Sequence, residues 1–158
     1  MASLLVALVS DTHGLVRPEL LDAVAGCDAI VHAGDIGGAE VLAALRAHAP
    51  VHAIRGNNDV GTWAADVPHA VTIELAGRRV HVVHDAHDFP ASAGGERVDV
   101  LVTGHTHRPL VRERDDGVLH VNPGSAGPRR FTLPVTVARL TIDADGARAE
   151  IFEIVRRG

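Results

Sequence analysis

Apolar residues in this chain fall into short runs, and each early run empties into a polar loop. Leu4–Val9 is continuously apolar and ends in Ser10-Asp11-Thr12-His13-Gly14, which reads as a buried strand leading into a loop. Pro18 precedes Glu19–Ala25, a short helix with Pro in its first turn. Ala29–His32 is a second strand, followed by Ala33-Gly34-Asp35-Ile36-Gly37-Gly38. Ala39–His48 carries apolar residues at helical spacing and is stopped by Pro50. Val51–Ile54 is a third strand, ending in Arg55-Gly56-Asn57-Asn58-Asp59. Alternating strands and helices predict an α/β fold with neighbouring parallel strands.

The second half is richer in strands. Ala70–Leu75 and Arg79–His84 flank the turn Ala76-Gly77-Arg78, and Asp99–Thr103 is a further strand. Leu110–Arg114 and Val118–Val121 flank Asp115-Asp116-Gly117. Val135–Ile142 and Arg148–Val155 flank Asp143-Ala144-Asp145-Gly146. One weak helix is expected over Ala91–Arg97. The pattern holds no repeat, linker or low-complexity segment. It predicts a single domain over residues 1–158, built from two packed sheets with helices outside.

Composition narrows the function. With 46% hydrophobic and 22% charged residues the chain is an ordinary globular domain. No apolar stretch approaches the roughly 20 residues of a membrane span. The opening, Met1–Val9, lacks a basic segment and reads as a strand rather than a signal peptide, so the expected location is cytoplasmic. A net charge of −5 argues against a nucleic-acid surface but not against a small phosphorylated substrate. The lone Cys27 excludes an intrachain disulfide and reads as a small buried hydrophobe. A homo-oligomer is compatible with the sequence, but no residue marks its surface.

Histidine is the unusual component, with 11 residues. Asp11 and His13 follow the first strand, Asp35 the second and Asn57 the third. His84 ends the fifth, and His105 and His107 follow the next. In open α/β sheets ligands bind beyond the carboxyl ends of strands, where all seven fall. Singly, each has a plainer role: Asp11 as a cap, Asp35 and Asn57 as turn residues, His84 as a core histidine. Jointly they form a mixed nitrogen and oxygen donor set without thiolate, which suits Zn, Fe, Mn or Mg rather than a zinc finger or an iron–sulfur cluster. Seven donors exceed one ion and suit two bridged by a carboxylate, the arrangement that clamps attacking and leaving oxygens in phosphoryl chemistry. Glycines before Asp35, Asn57 and His105 fit turns with unusual backbone angles.

These blocks, Asp11-x-His13, Gly34-Asp35, Gly56-Asn57, His84 and Gly104-His105-x-His107, resemble the signature of the calcineurin-like metallophosphoesterases. Asn122-Pro123-Gly124-Ser125 and Gly127-Pro128-Arg129-Arg130-Phe131 resemble the small bacterial and archaeal phosphodiesterase branch. The resemblance spans residues 4–142. It implies a four-layer α/β/β/α sandwich and two divalent ions, Mn²⁺ first, with Fe, Ni or Zn as alternatives. By resemblance Asp11, His13 and His107 hold the first ion, Asp35 bridges, and Asn57, His84 and His105 hold the second. Asp35, Asn57 and His84 then act in catalysis through a metal-activated hydroxide. The implied activity is hydrolysis of a small phosphate-ester substrate, a diester before a monoester. A non-catalytic scaffold of the same fold is the alternative from another class.

Two departures stand out. Many relatives carry a histidine after the ligand asparagine to protonate the leaving group, whereas this chain has Asn58, whose amide cannot yield a proton at neutral pH. Asp59 and His87 are the candidate substitutes. Many relatives also read His-Gly-His where this chain has His84-Asp85-Ala86-His87. His32 is expected to be buried. Asn122 and Ser125 are expected to shape the turn beside the metal loops, and Trp63 is expected to pack. His48, His52, His69, His81 and His120 carry no assigned role.

Overall fold

The computed structural model describes residues 3–155, so Met1, Ala2 and the far end of the expected 1–158 domain lie outside the described residues. Two five-stranded mixed sheets form the body. The first contains β1 (Leu4–Val9), β2 (Ala29–His32), β3 (Val51–Ala53), β9 (Thr136–Asp143) and β10 (Gly146–Glu153), in the order β10-β9-β1-β2-β3. The second contains β4 (Ala70–Leu75), β5 (Arg78–Val83), β6 (Val100–Val102), β7 (Leu110–Glu113) and β8 (Leu119–Asn122), in the order β4-β5-β6-β8-β7. β1, β2 and β3 are mutually parallel, as are β5, β6 and β8. This is the α/β sandwich expected from the sequence.

Alternation within the strands builds the layers. Val6 and Leu8 of β1, Val31 of β2 and Leu140 of β9 face Val80 and Val82 of β5, Val100 and Val102 of β6 and Val121 of β8, forming a dry core between the sheets. The opposite face of the first sheet, through Ala7, Val9 and Ile30, takes Leu20 and Val24 of α1 (Pro18–Val24) and Val41, Leu42 and Leu45 of α2 (Ala39–Arg46). Cys27 and Trp63 also pack there, as expected.

The outer layer on the second sheet is thinner than the sequence suggests. Of the helix expected over Ala91–Arg97, only the 3₁₀ turn Ala91–Ala93 forms, beside another at Ala86–Asp88. Gly94 and Gly95 follow at φ +63° and +84°, which stops a right-handed helix. The Ala76-Gly77 turn has both residues at positive φ, +50° and +79°, the geometry whose twist suits a two-residue hairpin. No helix among the described residues is long and apolar enough to cross a membrane.

Candidate metal centre

The carboxyl ends of the parallel strands in both sheets meet at one edge of the sandwich. Loops after β1 and β2 continue the parallel ladder beyond the strands: the Asp11 N–H donates to Gly34 O at 2.9 Å, and the His13 N–H to Asp35 O at 2.9 Å. The Gly104 N–H donates to His84 O at 3.0 Å, tying the two histidine loops of the second sheet together. Asn122 donates to Gly104 O at 3.0 Å and to Thr106 Oγ1 at 3.1 Å, and the Ser125 hydroxyl donates to Asp11 O at 3.0 Å. Asn122 thus braces the His105 loop within the second sheet, and Ser125 joins the loop after β8 to the Asp11 loop of the first.

The donor atoms converge. Asp11, His13 and His107 each offer an atom within 4.8 Å of the others, and so do Asp11, Asp35 and His84. His107 Nε2 lies 3.4 Å from Asp11 Oδ1 and 3.4 Å from His13 Nε2. Asp35 Oδ2 lies 3.2 Å from His84 Nε2 and 3.8 Å from His13 Nε2, between the two groups. The His84 and His105 rings meet edge to face, with centroids 5.2 Å apart. Asn57 is exposed and lines, with His84 and His105, an open cleft of about 730 Å³.

Five of these seven residues hold a strained backbone. Asp11, His13, Asp35, His105 and His107 have φ between +47° and +74°. A side chain in this region costs energy and persists where its surroundings fix it. The unusual angles expected of the flanking glycines thus fall largely on the ligand candidates themselves. Gly34 alone of the three glycines has positive φ, +101°. Gly56 and Gly104 are required by space: a Cβ at Gly56 would meet the Asp35 carboxylate, and one at Gly104 the Ser10 hydroxyl.

The surrounding hydrogen bonds aim the donors. His84 Nδ1 lies 2.7 Å from Ala33 O, so Nδ1–H is the donor and Nε2 keeps its lone pair for the centre. Ser10, fully buried, donates to Asp11 Oδ2 at 2.6 Å, and the His105 N–H donates to the same oxygen at 3.1 Å. The Asn58 N–H and amide hold Asp35 at 3.0 and 3.2 Å. Asp11 Oδ1 and His84 Nε2, 3.9 Å apart, are buried without a hydrogen-bond partner. Such orphaned atoms are costly unless a ligand completes them, and a divalent ion fits this donor set.

The electrostatics agree. Burial pushes the Asp35 carboxyl upward, but contact with His84, the Asn58 N–H and the neighbouring imidazoles hold it well below the usual carboxylate range. Asp11 is likewise held low against its burial, by His107, Ser10 and His84. Burial lowers His13, outweighing Asp35 and Asp11, whereas for His84 the contacts with Asp35, Ala33 O and Asp11 outweigh burial and raise it.

The two candidate proton donors stand elsewhere. Asp59 is buried, and its oxygens accept the N–H groups of Ile36, Gly37 and Gly56 at 2.9–3.0 Å. It ties the Asp35 loop to the Asn57 loop and has no free edge for a leaving group. The His87 side chain is 95% exposed and bonds Asp85 at 2.9 Å. Ser10, Arg55 and His69 were not singled out as site residues by sequence reasoning. A serine before the first aspartate and an arginine two places before Asn57 were the available signals.

Residues 4–145 match the calcineurin-like phosphoesterase superfamily domain. The chain belongs to that superfamily. A probable metallophosphoesterase of Methanothermobacter thermautotrophicus is 35% identical to it over 161 residues, covering 94% of this chain and 92% of the relative. Two solved structures share the superfamily fold at lower identity. One is a novel archaeal phosphodiesterase, 22% identical with a TM-score of 0.73, covering 94% of this chain and all (100%) of the other. The second is wild-type Vps29 of Entamoeba histolytica complexed with Zn²⁺, 22% identical with a TM-score of 0.71, covering 96% and 100%. As a calcineurin-like phosphoesterase the chain is metal-dependent, and the cluster above is where its described residues can hold an ion.

Proposed function

We propose that this protein is a phosphodiesterase with a dinuclear centre, Asp11, His13 and His107 holding one ion, Asn57, His84 and His105 the other, and Asp35 lying between them. The observation that carries the reading is the placement of the donor set at the wall of a roughly 730 Å³ cleft, with Asn57, His84 and His105 facing it. A diester needs room for two organic groups on phosphorus; a small monoester would leave much of this cleft unfilled.

When bound, the ions supply positive charge to the phosphoryl oxygens and lower the pKa of a water, which provides the nucleophile near neutral pH. The protein's own part is orientation. Asn58 and Ser10 fix the carboxylates of Asp35 and Asp11, and Ala33 O fixes the His84 ring. Asn58 can offer the leaving oxygen a hydrogen bond but no proton. With Asp59 occupied and His87 turned outward, esters of acidic alcohols are the favoured substrates.

Hydrolysis of a p-nitrophenyl diester and the matching monoester, after chelation and Mn²⁺ add-back, tests this beside His105→Ala. Mn²⁺-restored diester cleavage that the variant loses is the expected result. Preferential monoester cleavage would move the activity to a phosphomonoesterase at the same centre. Absence of metal-dependent turnover on both would favour a scaffold of this fold. Fe, Ni and Zn in the same add-back rank the alternatives to Mn²⁺.

A further inference from the structure

The cleft beside the centre contains a cation that the reaction does not use. Arg55 follows β3, two residues before Asn57, and lines the cleft with Asn57, His84 and His105. Its backbone N–H donates to Pro68 O at 2.9 Å, which sets it against the segment carrying His69, another residue of the same wall. The turn below it is fixed by the Gly56 N–H donating to Asp59 at 2.9 Å. The side chain is half-buried, and its Nε has no hydrogen-bond partner. None of the arginine ion pairs among the described residues includes it; those use Arg97, Arg114 and Arg148.

An arginine in this state needs an explanation. Guanidinium groups are rarely left unpaired where they are partly withdrawn from water, because the lost hydration is not replaced. Asp59 is close in sequence, but its oxygens are taken by three backbone N–H groups. Asp85, also in the cleft, is engaged by His87, and Asp88 is the remaining carboxylate there. The chain as a whole carries −5, so this cation is not one point of a generally basic surface. Nε itself is withdrawn from solvent, but Arg55 and His69 both line the cleft, where a bound anion would pair with the remainder of the guanidinium.

We infer that Arg55, assisted by His69, forms an anion subsite that binds a second negatively charged group of the substrate, distinct from the phosphate at the metal centre. The inference rests on the metal-centre reading and names its substrate class: a phosphodiester whose non-reacting portion carries its own carboxylate or phosphate. A guanidinium gives such a group two parallel hydrogen bonds, which a lysine would not reproduce.

Calorimetric titration of the Mn²⁺-loaded protein tests this without turnover. The probes are phenylphosphonate and its 3- and 4-carboxyphenyl analogues. The expected result is that the better-fitting carboxylate analogue binds roughly tenfold more tightly than phenylphosphonate, the scale of one charge-assisted hydrogen bond. Arg55→Met is expected to bring the ratio close to one. If that variant loses phenylphosphonate binding through misfolding, Arg55→Gln decides in the same way. A wild-type protein that binds phenylphosphonate without preferring either carboxylate analogue overturns the subsite and leaves the metal-centre reading standing. Preference retained in the variants also overturns it, as does loss of phenylphosphonate binding in both folded variants, which would place Arg55 on the primary phosphate. Wild-type protein that binds none of the three probes overturns the metal-centre reading and the subsite with it.

Discussion

Acid should destabilise this protein through a histidine that is not a metal-ligand candidate. His32 ends β2 and is fully buried. Its Nδ1 accepts the Gly34 N–H at 3.1 Å, so the proton must sit on Nε2, 3.0 Å from Thr12 Oγ1. Thr12 in turn donates to Ile36 O at 2.8 Å. The ring is thus a neutral link between the loops after β1 and β2, and burial pushes its pKa down to about 4. In the unfolded chain a histidine titrates near 6.5. Above that value neither state binds the proton and the group adds no pH dependence. Between about 6.5 and 4 the unfolded chain is protonated and the native one is not, so stability is lost as pH falls. A full pKa unit corresponds to about 1.4 kcal/mol, so acidification from 6.5 to 4.5 removes on the order of 2 kcal/mol.

The assay is urea unfolding in chelator from pH 7.5 to 4.5, comparing the wild type with His32→Asn. The amide can keep the acceptor for Gly34 but cannot titrate. At pH 7.5 the variant should be less stable by roughly 1–3 kcal/mol, because Thr12 loses its ring partner in a buried setting. The gap should then narrow by on the order of 2 kcal/mol as the pH falls to 4.5. A gap constant to within about 0.5 kcal/mol would refute the assignment of a neutral, buried His32, whatever the remaining histidines contribute, since both proteins share them.

Three further outcomes are expected. Ser10→Ala removes the 2.6 Å bond to Asp11, and metal affinity should fall about 10–100-fold in a Mn²⁺ titration; unchanged affinity would show that Asp11 is aimed by its other contacts alone. Chelation should lower the melting temperature, and Mn²⁺ at about 100 times its Kd should restore about 2.7 kcal/mol, roughly 5–10 °C by thermal denaturation; no shift would argue against a metal-binding native state. Asn58→His should speed hydrolysis of alkyl diesters about 100-fold and leave p-nitrophenyl diesters little changed, as only a poor leaving group needs the added proton; equal effects on both would mean that position 58 does not face the leaving oxygen.

The sandwich was legible because its strands are written as apolar runs broken by polar loops, and β1, β2 and the β4–β5 hairpin form where those runs fall. The chain's own punctuation misled in one place. Ala91–Arg97 has helical residues, but Gly94 and Gly95 take the left-handed region, and their effect outweighs propensity. Convergence of Asp11, His13, Asp35, His84 and His107 followed from their shared place at strand ends. The fates of Asp59, His87 and Arg55 did not, since each depends on contacts made across loops. Asp59 resembled a free acid until three N–H groups from two loops were seen to occupy it.

The backbone strain of the centre was also hidden, and the reason lies in the residue types. Left-handed geometry usually announces itself through glycine, and here it falls on aspartate and histidine. These residues enter the left-handed region several-fold more readily than most side chains. They are also the residues that supply oxygen and imidazole nitrogen to a divalent ion. One choice of residue therefore meets two demands at Asp11, His13, Asp35 and His107: a sharp turn at the strand end, and a donor atom brought within reach of the others. Besides these and His105, Ala76 and Phe131 are the other non-glycine residues at positive φ among those described, and both lie away from the donor set. An extended residue at any of the four sites would turn its side chain to one face of its sheet or the other, in strict alternation along the strand. At these four residues the left-handed backbone accompanies the convergence of donors from separate strands, whereas His84 reaches the same group without it. The cross-sheet bond of Ser125 to Asp11 O and the bond of Asn122 to Gly104 O hold the loops in place.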